Sequence, residues 1–299
     1  MLLRDGSLLT VRPMEVTDLA EVGRLLVTSL NEGAARQGFA PEFPSVAAAT
    51  PVLSAYRRCS STMSLVALKD GVLAAATFVH RRPGRGYGSI GPLVVEPSQQ
   101  GGGAGAAFLA MIVEQLGSLP LAGLVPAWNT RMYAMVTRAG YVPMELLVRL
   151  QRPAAATTAI VDGRCRDGRV DEVDAIDVAV TGGQRVDDLR LVSGFGRLVM
   201  VDDGEDRGFL GVVRGTQTAL LGPGAASSPG ALARLLRGIE GQLGATHELT
   251  ALLPASQIEV VDELRDRGWR VRDLFVTLGR GKVAMSSAQR VLTLFPESL

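Results

Sequence analysis

The sequence predicts an α/β (α+β) protein made of two tandem copies of one fold, and three observations carry that expectation. Ile90 to Val95 is apolar and rich in β-branched residues, Pro97 ends it, the five small residues Gly101 to Gly105 follow Gln100, and a helical pattern runs on to Leu116, which reads as strand, Gly-rich turn, helix. The chain also repeats itself: Arg197 to Gly204 echoes Ser64 to Gly71, and Pro254 to Trp269 echoes the stretch from Asn129 to Tyr141. Gly204 stands 133 positions after Gly71 and Gly268 stands 128 after Gly140, so the two offsets nearly agree. Finally, 299 residues with 47% hydrophobic content are enough for two domains that each bury a core. The boundaries read as 1–152 for the first copy, 153–158 for a linker of small residues, 159–280 for the second copy and 281–299 for a tail with a short helix from Ser286.

Taken in order, a short strand begins at Leu9, and Thr17 or Asp18 caps a helix with apolar positions at Leu19, Val22, Leu25 and Leu26. Asn31 to Ser45 mixes polar residues, glycines, Phe39 and Phe43 and reads as a loop. Ser64 to Lys69 and Val72 to His80 form a hairpin turned by Asp70-Gly71. The next connection holds Arg81, Arg82 and Arg85, which read as a solvated turn in preference to an anion-attracting patch. A helix from about Gly105 to Leu116 buries Phe108, Leu109, Ile112, Val113 and Leu116. A strand follows from Leu121 to Val125, then a helix with Asn129 as N-cap and Gly140 just past its end. In the second copy Pro223 to Gly230 takes the place of the Gly-rich turn, ahead of a helix starting near Leu232. It lacks the leading Gln, and Pro229 removes a backbone donor.

Composition limits the partners. The formal charge is +1, acidic and basic residues are mixed, and no basic block appears, so no nucleic-acid partner is expected. The apolar windows fall short of the ~20 residues that span a bilayer, so no membrane association is expected either. The first residues turn charged at Arg4 and Asp5 without a signal-peptide core, which makes the cytoplasm the expected location. Cys59 and Cys165 lie in different copies, and with only His80 and His247 beside them neither a disulfide framework nor a metal site is expected. The oligomeric state is expected to be monomer or homodimer.

The Gly-rich turn is built to hold an anion. Glycines let successive backbone N–H groups point into one concavity, and the start of the helix adds unpaired donors and the positive dipole end. A dinucleotide would want an acidic residue about 20 positions on, but residues 119–127 hold none. A nucleoside triphosphate would want Gly-Lys-Ser/Thr, yet the lysines are Lys69 and Lys282, outside any such loop. What fits better is Val95-x-Pro97-x-x-Gln100-x-x-Gly103-x-Gly105, which resembles the acyl-CoA signature of the GNAT (GCN5-related N-acetyltransferase) superfamily.

That resemblance implies that each copy is a mixed, mostly antiparallel twisted sheet flanked by helices. It implies acetyl-CoA or another acyl-CoA as co-substrate, and direct transfer of the acyl group to the primary amine of a small molecule or a protein. The cofactor residues it implies are Leu93, Val94 and Val95, whose backbone would polarise the thioester carbonyl, with Gln100, Gly101, Gly102, Gly103, Ala104, Gly105 and Ala106 at the phosphates. Asn129, eleven residues before Gly140, would touch the pantetheine arm. The family Tyr that protonates the departing thiolate is replaced by Val136, so Tyr133, one helical turn earlier, becomes the candidate acid. Ser89 stands where some members carry a Glu base and at most positions a water. Glu32, Glu42 and His80 are further candidates for the base. The segment after the first helix would help to wall the acceptor site. The second copy reads as a degenerate partner that binds acyl-CoA poorly. Two other readings stay open: a GNAT-fold module that binds acyl-CoA without turnover, and a nicotinamide-dependent oxidoreductase, which NAD binding would revive.

Overall fold

A computed structural model describes residues 1–39, 41–43, 45–155, 164–286 and 288–293. The linker's last residues (156–158), the expected start of the second copy (159–163) and the end of the tail lie outside them. The first half runs β1 (Leu9–Pro13), α1 (Leu19–Ala35), α2 (Val46–Arg58), β2 (Thr62–Lys69), β3 (Val72–Arg82), β4 (Tyr87–Ile90), β5 (Val94–Val95), α3 (Ala104–Leu116), β6 (Leu121–Pro126), α4 (Thr130–Arg138) and β7 (Val142–Arg152). The second repeats the plan as β8 (Arg166–Gly168), α5 (Val170–Thr181), α6 (Val186–Phe195), β9 (Arg197–Asp203), β10 (Asp206–Arg214), β11 (Thr218–Ala226), α7 (Pro229–Leu243), β12 (Glu248–Pro254), α8 (Ile258–Asp266) and β13 (Arg270–Arg280), and ends in β14 (Gln289–Val291).

Local chemistry explains the elements. Asp70 (φ 50°) and Gly71 (φ 84°) make the tight turn that sets Lys69 opposite Val72 and fixes the β2–β3 register. β3 is buried along nearly its whole length, as a strand covered on both faces must be. One face of the first half's sheet packs Phe108, Leu109 and Ile112 of α3, and the other packs Leu25, Leu26, Leu53 and Tyr56 of α1 and α2. The second half is layered in the same way, with α7 and α8 on one side and α5 and α6 on the other.

The strands form one sheet in the order β1-β2-β3-β4-β6-β13-β7-β12-β11-β10-β9-β8. The halves exchange β7 and β13. β13 of the second half pairs antiparallel with β6 of the first, β7 of the first pairs antiparallel with β12 of the second, and β7 and β13 pair with each other. The sheet is therefore continuous through the sequence boundary at residue 152.

The structure corrects four expectations. Ile90 to Val95 is two strands, because β5 leaves the direction of β4 after Gly91-Pro92 and joins β3 at Ala75 and Ala76. The tail forms strand β14 and no helix at Ser286, since Gln289–Val291 finds unpaired backbone on β11. In the second copy β11 runs on to Ala226 and α7 starts at Pro229, so only Ser227 and Ser228 separate strand from helix. Pro229 opens the helix, where the absent N–H costs nothing. The arginine turn is a dock between the halves. Arg82 Nε donates to Asp188 Oδ2 at 2.7 Å, and Arg85 sits 3.3 Å from Asp177, which also accepts from Arg185 at 2.8 Å. Arg82 and Asp188 have side chains only 2% and 4% exposed, so the pair is sealed from water.

Candidate functional site

β4 and β6 run parallel and pair only at Gly88 to Ile90 against Leu121 to Gly123. Beyond Ile90 they part, because β5 has gone over to β3. The parting opens a slot through the sheet, and a cavity of about 1220 Å³ begins there. The first half contributes Ile90, Leu93, Gln100, Gly123, Asn129 and Val136 to its wall. The cavity continues to the second half, where Arg214, Glu248, Thr250 and Phe275 line it. The strand exchange makes this possible, because it sets Arg149 of β7 beside Phe275 of β13 at the junction, with the guanidinium 5.0 Å from the ring centroid.

Of the Gly-rich turn and the residue that leads into it, Gln100 lines the cavity, while Gly101 to Ala106 are not part of its wall. Gly101 (φ 88°) and Gly103 (φ 91°) take the left-handed conformation, and Gly101, Gly102 and Gly103 are exposed. Gln100 Nε2 donates to the Val95 carbonyl at 3.0 Å and ties the turn to the end of β5. The backbone of Ala107 closes the first helical bond, to Gly103 at 3.0 Å; the N–H groups of Gly101 to Ala106 find no acceptor among the described residues. A Cβ at Gly105 would lie 3.0 Å from Val95 Cγ2, so a larger residue there would need Val95 to shift. Ala104 is buried beneath the turn and Ala106 is exposed. A row of unpaired donors at a helix N-terminus suits an anionic group.

The other cofactor candidates divide. Leu93 lines the cavity, while Val94 is buried among the α1 and α2 side chains and Val95 packs toward α3. Asn129 caps α4 by accepting from the Met132 N–H at 3.0 Å, and its amide nitrogen has no partner among the described residues, so it can still donate into the cavity it lines.

Of the catalytic candidates, Ser89, Tyr133 and His80 are not part of the cavity wall. Ser89 is fully buried, its hydroxyl accepts from Arg82 Nη1 at 2.6 Å, and it does not line the cavity. Tyr133 is half-buried against the first-half core and is absent from the wall. His80 is also fully buried, held by Thr62 Oγ1 at 2.8 Å. Burial, aided by Arg82, pushes the imidazole down to about 3 and keeps it neutral. Glu32 and Glu42 do line the cavity. Glu32 pairs with Arg36 at the surface, and Glu42 is gripped by both Nη atoms of Arg149 at 2.8 Å. Arg149 also bonds Asp273. Burial works against its charge, but the two carboxylates outweigh that and hold the guanidinium above its ordinary value. Glu42 is thereby tied to Arg149 of the exchanged strand β7.

One wall residue was missed from sequence. Tyr141, next to Gly140, lines the cavity along with Val136, and its buried hydroxyl has no hydrogen-bond partner among the described residues. Burial pushes this phenol up to about 12, with Arg280 acting weakly in the other direction, so it keeps its proton and serves as a donor. An aromatic after a helix-ending Gly reads from sequence as core; only its placement beside Val136 signals more. Glu248 and Arg214 were missed as well, because the sequence does not show which residues of the second half face the first half's slot.

In the second half the turn's equivalent offers no cradle. Ser228 caps α7 by accepting from Ala231 N–H at 3.0 Å and donates to Asp206 at 2.8 Å, which already sets a carboxylate at the helix start. Among the described residues no cluster of three His, Cys, Asp or Glu side chains could hold a metal, and no helix is long and apolar enough to cross a membrane.

No family model and no curated protein matches this sequence. Solved structures do match across almost the whole chain. A Pyrococcus horikoshii protein provisionally named an acetyltransferase aligns with a TM-score of 0.74 at 17% identity, covering 96% of this chain and 95% of its own. A GCN5-related N-acetyltransferase from Sphaerobacter thermophilus aligns with a TM-score of 0.65 at 14% identity, over 96% and 100%. A tandem GNAT protein from the clavulanic acid biosynthesis pathway aligns with a TM-score of 0.61 at 14% identity, over 91% and 98%. The fold of this chain is the tandem GNAT fold.

Proposed function

We propose that this tandem GNAT-fold chain binds an acyl-CoA, in the first instance acetyl-CoA, in the slot of its first half and transfers the acyl group to a primary amine held in the cavity between the halves. One observation carries the reading: β4 and β6 part beyond Ile90 into a cavity whose wall includes Gln100, the residue that leads into the unpaired N–H groups of Gly101 to Ala106, so a long anionic molecule can anchor at the turn and lay its arm in the slot. The acyltransferases among the structural neighbours support the class of chemistry.

The residues take the following roles. Gly101 to Ala106 bind the phosphates, Asn129 donates to the arm, and the backbone near Leu93 steadies the thioester oxygen as charge builds on it. Holding both reactants in one cavity makes the encounter effectively unimolecular. The amine nitrogen forms its bond to the acyl carbon, the carbon–sulfur bond breaks, the amine gives up its proton to water in the cavity, and Tyr141 supplies the hydrogen bond that receives the leaving sulfur. A thiol of pKa ~8.5 needs little help to leave, so one donor is sufficient. Tyr141 in this reading does the work expected of Tyr133.

A second reading, binding of acyl-CoA without turnover, has its own support: Val136 stands in the wall in place of an acid, and Glu42 is committed to Arg149. Thiol release from acetyl-CoA against a panel of amines, run beside direct measurement of CoA binding, separates the two. Release with any amine establishes transfer; tight binding with no release establishes the binding module; no binding removes both.

A further inference from the structure

The first half's slot is an opening, and the corresponding opening in the second half is filled by the chain itself. β11 and β12 pair in parallel only from Thr218 to Leu221 against Glu248 to Ala251, and then part as β4 and β6 do. Both halves carry Gly-Pro at that point, Gly91-Pro92 and Gly222-Pro223. Aligning the two sets Gly224, Ala225 and Ala226 level with Leu93, Val94 and Val95. β14 pairs antiparallel with those three residues, Gly224 against Val291, Ala225 against Arg290 and Ala226 against Gln289. On the other side Leu292 N–H donates to the Leu252 carbonyl of β12 at 2.7 Å. The tail therefore bridges the two parted strands.

Gln257 makes the parallel closer. It stands eleven residues before Gly268, as Asn129 stands before Gly140. Its side chain holds the tail backbone twice: Nε2 donates to the Arg290 carbonyl at 2.9 Å, and Oε1 accepts from the Arg290 N–H at 3.2 Å. Asn129 spends its side-chain oxygen on capping α4, whereas Gln257 makes no cap bond to α8. Arg290 Nη2 also reaches Glu145 of β7 at 2.6 Å, while Val291 and Leu292 are buried. Gly222 has to be Gly here, because a Cβ would lie 2.8 Å from the Leu292 carbonyl oxygen. Leu292 and Thr293 then form part of the cavity wall.

We propose that residues 288–293 are a built-in peptide ligand of the second half's cofactor slot. They lie along the backbone and amide positions that an acyl-pantetheine arm takes in the first half, an equivalence that rests on the function proposed above. The chain thus holds one cofactor slot and one peptide slot. The peptide is a β-strand donated in cis, whose main-chain hydrogen bonds supply the affinity and whose buried Val291 and Leu292 supply the fit.

Hydrogen exchange read by mass spectrometry on the full chain tests this. The amides of residues 290–292 are expected to exchange slowly and to keep that protection when acetyl-CoA is added to saturation, while Gly101 to Ala106 gain protection. Gln257→Met, similar in length but without the amide, is expected to speed exchange at Arg290 about tenfold with α8 unchanged. Fast exchange at 290–292 in the parent chain, loss of their protection when acetyl-CoA is added, or no effect of Gln257→Met would each overturn the proposal. If acetyl-CoA protects nothing, the acyl-CoA reading fails, and exchange in the free chain and in Gln257→Met still decides whether the tail is held in the slot.

Discussion

Replacing Gly103 by Glu places a carboxylate at the mouth of the Gly-rich turn and measures how much of the cofactor's grip is electrostatic. No atom lies within 4 Å of a Cβ built at Gly103, so nothing is displaced and the fold bears only the left-handed φ of 91°, about 1 kcal/mol for a residue with a side chain. A unit charge about 5 Å from a phosphate repels it by roughly 3 kcal/mol at an effective dielectric of ~20, and exposure and salt bring this to roughly 1.5–3 kcal/mol. The expected loss of CoA affinity is therefore about 10- to 100-fold. Gly103→Gln carries the same backbone strain without the charge and is expected to lose only a few-fold, and Ser228→Glu in the second half is expected to lose nothing. Titration calorimetry with CoA reads all three. Equal losses for Gly103→Glu and Gly103→Gln would show that shape, and not charge, governs the turn. A loss from Ser228→Glu would refute the assignment of binding to the first half.

Three further outcomes follow from single contacts. Tyr141→Phe is expected to slow acyl transfer about 10- to 100-fold with CoA affinity unchanged, and steady-state rates on a responsive amine check it; an unchanged rate would leave the sulfur to water. Asp188→Ala removes the carboxylate that balances the buried Arg82 charge and is expected to cost about 3–5 kcal/mol in urea unfolding, against less than about 1 kcal/mol for removing the exposed partner in Arg169–Asp171. The His80 imidazole, depressed to about 3, makes the fold bind fewer protons than the unfolded chain between pH 6.5 and 3. Its stability contribution is complete above about pH 6.5 and declines as pH falls, by about 2 kcal/mol between pH 6.5 and 5. His80→Gln is expected to flatten that part of the stability profile, and unfolding at pH 7, 6 and 5 compares the two.

The sequence made local features legible and concealed distant ones. Gln100 to Gly105, the Asp70-Gly71 turn and the Asn129 cap all depend on a few consecutive residues whose types fix the backbone, so spacing alone located them. The repeat was legible because Gly204 and Gly268 keep the turn positions of Gly71 and Gly140. The exchange of β7 and β13 was not legible, because their apolar patterns fit a partner in either half equally well. Arg82 and Arg85 read as a solvated turn because their carboxylates, Asp188 and Asp177, are about a hundred positions away. Tyr133 became the candidate acid, and Tyr141 did not, because helical spacing shows which face a residue shares, but not whether the cavity reaches that face. The tail read as a short helix from Ser286 because nothing local marks Gln289 to Val291 as a strand, which acquires meaning only from the gap that it fills.

The exchanged strands also set an order of assembly. β6 waits for a partner some 150 residues downstream, and β7 waits for β12, so neither half can complete its sheet until nearly all of the chain is available. A first half leaving the ribosome would expose unpaired edges on β6 and β7, and contacts of such long range form slowly. The same crossing should keep the molecule whole when the connection between the halves is cut at Ala154–Ala155. β7 of the first fragment and β13 of the second would each remain laced into the other's sheet, so the two pieces would be separable only by unfolding.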